Sequence, residues 1–371
     1  MVYLAFILLI TLFTTHIATD ARSIKQGVVD RLINDPKNVD DSRSVALANY
    51  RHRIEQSSKL KALRWALQNK YKAPEYCEAC DILVSVPGSP KLTALHLSDI
   101  HVDFGYQPGS QAECFQPVCC RFGQPLPSQT GAGFWGDYRG CDLPYWTAEA
   151  IVQYIAAVEK DIDFVYFTGD LPPHNVWNQS RADQIYTINT INQLLVNTFP
   201  NKTFYSAVGN HEAAPSNLFP TPIISRENIS WLYEVLADSW IKLGLSADTR
   251  NSILRGAFYA TVIHPGLRLV SLNMNYCASD NYWLFINMTD PLGQLQWLVK
   301  WLQYAEDHEE KVHIIAHHPP RFCLAAFSWN FNRIVNRYEN TIAGQFYGHT
   351  HYDEFNMFYD EFDPTRPVSM V

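Results

Sequence analysis

From Leu92 onward, short apolar runs alternate with longer segments in which apolar residues recur every three or four positions. The runs are Leu92–Leu97, Phe164–Phe167, Phe204–Val208, Leu267–Leu272, Val312–Ala316 and Ile342–Tyr347. Continuous apolar runs of this length predict buried strands. Between them, Trp146–Lys160, Arg181–Asn197, Ile229–Leu243 and Leu292–His308 carry the spacing of amphipathic helices. Strands alternating with helices predict a layered α/β fold. No internal repeat or low-complexity tract interrupts the pattern.

Upstream of Leu92 the texture differs. Val2 to Phe13 is almost wholly apolar and is followed by small residues up to Ala21, which reads as a signal peptide over residues 1–21. Residues 22–90 read as a helical leader and linker. Ser44 to Tyr71 has helical spacing without Gly or Pro, and Pro87-Gly88-Ser89-Pro90 is a clear break. Residues 91–371 then form the remaining domain. Beyond the N-terminus no apolar stretch is long enough to span a bilayer, so no transmembrane segment is expected in the mature chain.

With 371 residues, 47% of them hydrophobic, the chain can bury a substantial core. The net charge of −8 hides an asymmetry. Arg22 to Lys72 holds 12 Lys/Arg against 5 Asp/Glu, whereas the chain from Ala73 onward holds 17 against 31. An acidic body argues against nucleic acid as a partner. The basic arm reads as a solvated leader, with contact to anionic lipid as the alternative. Four N-x-S/T sequons, at Asn178, Asn201, Asn228 and Asn287, agree with export and mark candidate glycosylation sites. None of the eight cysteines falls in a paired C-x-x-C zinc pattern, so disulfides are expected.

Five of the six predicted strands deliver polar, metal-competent residues at their C-terminal ends. They read Ser98-Asp99-Ile100-His101, Gly169-Asp170, Gly209-Asn210-His211-Glu212, Ala316-His317-His318-Pro319-Pro320 and Gly348-His349-Thr350-His351. In α/β sheets the binding crevice lies at the carboxyl ends of the strands, so these side chains are expected to converge. Carboxylates, imidazoles and one amide oxygen suit divalent metals of hard to borderline character. The D-x-H and H-x-H spacings put alternate residues on one side of an extended segment. A single carboxylate, Asp170, can bridge two ions about 3.5–4 Å apart, the separation used in phosphoester hydrolysis. The glycines before Asp170, Asn210 and His349 are expected to allow sharp turns out of the sheet.

This set of motifs resembles that of the calcineurin-like metallophosphoesterases. Further segments narrow the likeness to the acid sphingomyelinase family. They are Pro117-Val118-Cys119-Cys120, Gly131 through Gly136, Cys141-Asp142-Leu143-Pro144, His174-Asn175-Val176-Trp177, Ser271 through Asn275 and Ser328 through Thr341. The resemblance runs nearly continuously from about residue 92 to 362 and implies a two-sheet β-sandwich flanked by helices. It implies a first zinc held by Asp99, His101, Asp170 and His351, and a second by Asp170, Asn210, His317 and His349. His318 lies outside the matching pattern. The implied disulfides are Cys114–Cys119, Cys120–Cys141 and Cys277–Cys323. Cys77 and Cys80 resemble the opening of a saposin domain, a remnant around residues 77–84. By the same comparison the catalytic domain ends early, at Val371.

The activity implied is zinc-dependent hydrolysis of sphingomyelin, at a membrane surface, to ceramide and phosphocholine. The enzyme would be secreted or lysosomal. The departing alkoxide needs a proton. His211 is the first candidate for its donor and His174 the second, with phosphate orientation as the other reading of His174. Two alternatives stand beside this one: a related phosphodiesterase acting on soluble nucleotides or phosphocholine esters, and a non-catalytic isoform.

Overall fold

The structure, a computed structural model, describes residues 91–370 and a two-residue strand at Phe13–Thr14. The expected signal peptide, helical leader and saposin-like remnant with Cys77 and Cys80 otherwise lie outside the described residues. The fold below is that of the compact unit that runs from Thr93 onward.

Two four-stranded sheets form its centre. The first has the order β1-β2-β5-β6, with β1 Phe13–Thr14, β2 Thr93–Leu97, β5 Phe164–Phe167 and β6 Thr203–Ser206. The strands β2, β5 and β6 are parallel, and every residue of β5 (FVYF) is buried. A parallel strand covered on both faces needs such a continuous apolar run. The second sheet has the order β10-β9-β8-β7, with β7 Tyr259–His264, β8 Leu267–Ser271, β9 Lys311–Ile315 and β10 Ile342–Phe346. The strands β8, β9 and β10 are parallel, while β7 and β8 form an antiparallel hairpin turned at Pro265-Gly266. A short pair, β3 Val102–Asp103 and β4 Leu143–Pro144, and a C-terminal hairpin, β11 Met357–Tyr359 and β12 Pro367–Met370, complete the strands.

The sheets face one another through a partly polar seam. The Tyr166 hydroxyl meets His313 Nδ1 at 2.7 Å, and the Tyr259 and Ser271 hydroxyls both donate to the Ser206 carbonyl at 2.9 Å. The helices are α1 Tyr145–Val158, α2 Arg181–Thr198, α3 Ser230–Lys242, α4 Arg250–Gly256, α5 Gln294–Asp307 and α6 Ala325–Arg337. On the far face of the second sheet, Val270, Val312, Ile314 and Ala316 pack against Leu298 and Leu302 of α5 and Phe327, Phe331 and Val335 of α6. Neighbouring helices α1, α2 and α3 pack in series, and α3 reaches β6. At its N-terminus α2 has a capping box, Ser180 Oγ accepting from Asp183 N while Asp183 accepts from Ser180 N, worth about 1 kcal/mol. The result is the expected two-sheet sandwich between helical layers.

All six predicted strands and four predicted helices are present, with ends shifted by one or two residues. The third strand starts and stops earlier, at Thr203–Ser206, which leaves Ala207 and Val208 in the loop that enters the site. The apolar pattern did not reveal β7 or α6. Most of β7 is only partly buried, as befits the edge of a sheet, so it lacks a continuous apolar run. In α6 the buried stripe is narrow, Phe327, Phe331 and Val335, among polar neighbours.

Candidate metal centre

The loops that leave the C-terminal ends of β2, β5, β6, β9 and β10 meet at one place. Their seven expected ligands are brought together there: Asp99, His101, Asp170, Asn210, His317, His349 and His351. Five of the seven have left-handed backbone, with φ of 53° at Asp99, 42° at His101, 62° at Asp170, 72° at His349 and 55° at His351. Such conformations are costly for residues with a Cβ and concentrate at functional sites. Backbone bonds hold them: Asp99 N donates to Gly169 O at 3.0 Å and His101 N to Asp170 O at 3.1 Å.

The three glycines differ in their reason. Gly169 turns the chain with φ 96°. The other two have no positive φ; they are needed for closeness. A Cβ at Gly209 would fall on Asp170 Oδ1, and one at Gly348 on Ser98 Oγ. The expectation of sharp turns is therefore corrected at Gly209 and Gly348 to one of side-chain clearance.

Around Asp170 the geometry is dense. Its Oδ2 lies 3.0 Å from His317 Nε2 and 3.6 Å from His101 Nε2. Its Oδ1 accepts from His211 N at 2.9 Å. Glu212, whose role the sequence did not reveal, accepts from Gly209 N at 2.7 Å, Leu171 N at 2.7 Å and Asp170 N at 3.2 Å, clasping the two loops together. Burial, and then the negative charge of Asp170, push the Glu212 carboxyl up to about 7.

Two histidines have one ring nitrogen committed. His101 Nδ1 donates to Pro172 O and His317 Nδ1 to Thr168 O, each at 2.7 Å. Their Nε2 atoms are thereby turned inward as acceptors, the arrangement that orients metal-binding imidazoles. Inside they meet other acceptors. His101 Nε2 lies 3.1 Å from His351 Nε2, and His317 Nε2 lies 2.9 Å from Asn210 Oδ1 as well as 3.0 Å from Asp170 Oδ2. With the imidazoles neutral, such converging lone pairs suit a cation between them. The electrostatics say the same: burial alone would lower the His317 pKa, yet Asp170 and Asp99 raise it to about 9. Burial opposes the charge of Asp170 too, but His317 and its neighbours hold that carboxyl well below the usual range. A centre that pulls a proton onto a buried imidazole this strongly fits a metal cofactor.

Among the described residues, four groups have donor atoms within 4.8 Å of one another: Asp99, Asp170 and His317; His101, Asp170 and His211; His101, His174 and His351; and His317, His318 and His349. His318, outside the family pattern, thus joins the cluster, with Nδ1 buried and without a hydrogen-bond partner. Burial, then the nearby imidazoles, keep it well below the usual histidine range. His211 and His174 stand on the other side, their rings 4.8 Å and 3.9 Å from that of His101. His174 is gripped by Asp142, which accepts from its backbone N at 2.6 Å and from Nδ1 at 2.7 Å. Burial lowers the His174 pKa, but Asp142, together with Asp170 and Asp99, more than compensates and the net shift is upward; at His211 burial prevails and the shift is downward. The signal for Asp142 lay in its place directly after Cys141, within a family-like run that carried no assigned role.

The disulfides Cys114–Cys119, Cys120–Cys141 and Cys277–Cys323 are formed. The first two pin the loop between β3 and β4. The third ties the loop after β8 to the segment following His317 and His318.

Comparison with known proteins places these features in a family. The model of the calcineurin-like phosphoesterases matches residues 92–353. The chain is 51% identical over 280 residues to a sphingomyelin phosphodiesterase of Bos taurus, covering 75% of this chain and 44% of that protein. It is 49% identical over 280 residues to that of Homo sapiens, with the same coverage. The acid sphingomyelinase-like phosphodiesterase 3b of Homo sapiens is 34% identical over 291 residues, covering 74% of this chain and 60% of that protein. The chain thus spans less than half the length of the first two relatives. With that family model matched across the strand-end loops that gather the donors, the chain belongs to the calcineurin-like phosphoesterases.

Proposed function

We propose that this chain is a two-zinc phosphodiesterase that hydrolyses sphingomyelin to ceramide and phosphocholine. One observation carries the reading: seven ligand-type side chains converge in a chain that is 51% and 49% identical, over 280 residues, to two sphingomyelin phosphodiesterases. Asp99, His101, Asp170 and His351 would hold one ion and Asp170, Asn210, His317 and His349 the other. Bound there, the ions would supply a hydroxide nucleophile and neutralise charge on the phosphate. His211 and His174 remain the two candidates to carry the proton for the departing alkoxide, and the Asp142 carboxylate 2.7 Å from His174 Nδ1 supports His174 in that role. The two rings lie side by side, centroids 4.5 Å apart, and orientation of the phosphate is the other role open to His174.

The higher identity to the sphingomyelin phosphodiesterases favours sphingomyelin over soluble diesters. We further assign residues 1–21 as a signal peptide, 22–90 as a leader and 91–371 as the catalytic domain. The site of action would be secreted or lysosomal, with the substrate met at a membrane surface. All four sequon asparagines are exposed, which suits glycosylation on that route. Among the described residues no helix is long and apolar enough to cross a membrane.

The test is phosphocholine release from sphingomyelin liposomes beside hydrolysis of a soluble chromogenic diester, before and after metal removal by a chelator. Release from liposomes, lost on chelation and restored by zinc, is expected. Turnover of the soluble diester alone would favour the second substrate class. Zinc bound without turnover of either would point to the non-catalytic reading.

A further inference from the structure

Beneath Asp99 the side chains form a single file of hydrogen bonds. His96 of β2 is buried, with Nε2 2.9 Å from Thr168 Oγ1. Thr168 Oγ1 donates to Ser98 Oγ at 2.6 Å, and Ser98 Oγ donates to Asp99 Oδ2. Each hydroxyl has one hydrogen, and each gives it to the next member. His96 must therefore supply the proton in its contact with Thr168, as the neutral Nε2–H tautomer. Burial, the dominant influence on it, holds its pKa down at about 4 and so keeps the ring neutral. Every bond in the file points the same way and ends on a carboxylate, an order in which successive bonds strengthen one another.

The file also distinguishes the two oxygens of Asp99. Oδ2 alone receives Ser98 Oγ, while His349 N lies 2.9 Å from both carboxylate oxygens. Oδ1 faces His351 Nε2 at 3.3 Å and His101 Nε2 at 3.9 Å, with His317 Nε2 farther off at 4.0 Å. Thr168 has a second task, because its carbonyl accepts from His317 Nδ1. The requirement for glycine at 348 follows: a Cβ there would strike Ser98 Oγ and stand 3.2 Å from Thr168 Oγ1.

We propose that His96, Thr168 and Ser98 are positioning residues, a relay that locks the Asp99 carboxylate with Oδ1 presented to the ion held by Asp99, His101 and His351. This rests on the reading of the centre as a two-metal site. Partners of this kind behind a ligand alter metal affinity by about 10–100-fold. The relay therefore sets the affinity of one of the two ions more than the other.

Thr168→Val keeps the shape and the backbone carbonyl that serves His317 while deleting the hydroxyl. Ser98→Ala removes the next link, and Thr168→Ser keeps the hydroxyl as a rescue. The full chain and each variant would be titrated with zinc against a chromophoric chelator and with cobalt followed by its visible absorption. Melting temperatures of the metal-free proteins would be recorded alongside. In Thr168→Val and Ser98→Ala, one ion is expected to weaken about 10–100-fold with its cobalt spectrum altered. The other ion should change by no more than a few-fold, and Thr168→Ser should bind like the parent. If Thr168→Val fails to fold, Ser98→Ala decides alone. Two ions held with parental affinity in the variants would overturn the relay and leave the metal centre standing. A parent chain that takes up no ion would overturn both.

Discussion

At the scale of single residues, the centre is built from backbone that local preference opposes. Asp99, His101, Asp170, His349 and His351 all occupy the left-handed region, at a cost of roughly 1 kcal/mol or more each. The compensation is visible in the bonds that clasp them, three of which converge on Glu212. A Cβ at position 209 would fall on Asp170 Oδ1 and come within 2.5 Å of Asp170 N and 2.7 Å of Glu212 Oε2. Gly209→Ala is therefore expected to destabilise the protein by about 2–4 kcal/mol and to reduce metal uptake, measured by denaturant unfolding and metal analysis. A folded, fully metallated variant would show that the loops have slack that the packing does not suggest. The candidate ligands themselves were legible in the sequence because the residue type announces the chemistry. The roles of Glu212, Asp142 and Thr168 were not, because a hydrogen bond to a distant backbone leaves no local pattern.

At the scale of elements, loops matter as much as strands. The bridge Cys120–Cys141 ends one residue before Asp142, which grips His174 through both its backbone and ring nitrogens. Replacing both cysteines by serine is expected to cost about 2–4 kcal/mol of stability. It should also lower kcat for a diester with a poor leaving group more than for one with a good leaving group, since only the former needs the proton. Equal losses on both would count against the link from the bridge through Asp142 to His174.

The seam between the sheets gives a pH dependence. His313 of β9 packs against β5, its Nδ1 paired with the Tyr166 hydroxyl, and burial lowers its pKa from 6.5 to about 4. The unfolded chain then binds the proton more readily than the folded one. The stabilising effect of a neutral His313 is complete above pH 6.5 and is lost as pH falls toward 4, by up to about 3 kcal/mol. His313→Gln retains an acceptor for Tyr166 but does not titrate. Between pH 7 and pH 4.5 it is expected to lose about 2–3 kcal/mol less than the parent, as read from urea unfolding at each pH. Equal losses would remove His313 from the account.

At the scale of the whole molecule, two sheets stack so that the carboxyl ends of five strands open on one cluster. The layering and most elements were readable from apolar periodicity, because a strand buried on both faces must be apolar along its length, as in β5. The edge strand β7 and helix α6 were not, since partial burial dilutes the pattern on which such a reading depends. By itself the sequence determined the ligand types, their spacing and their place at strand ends, all consequences of local order along the chain. Only the tertiary structure decided which atoms meet. It gave Asp170 one oxygen for His317 and the other for the His211 amide, left Oδ1 of Asp99 facing the imidazoles, and placed Asp142 behind His174. It also brought His318 into the cluster. Those pairings join residues as far apart in the chain as Asp99 and His351, and distance in space between such residues is set by packing of the sheets rather than by any local propensity.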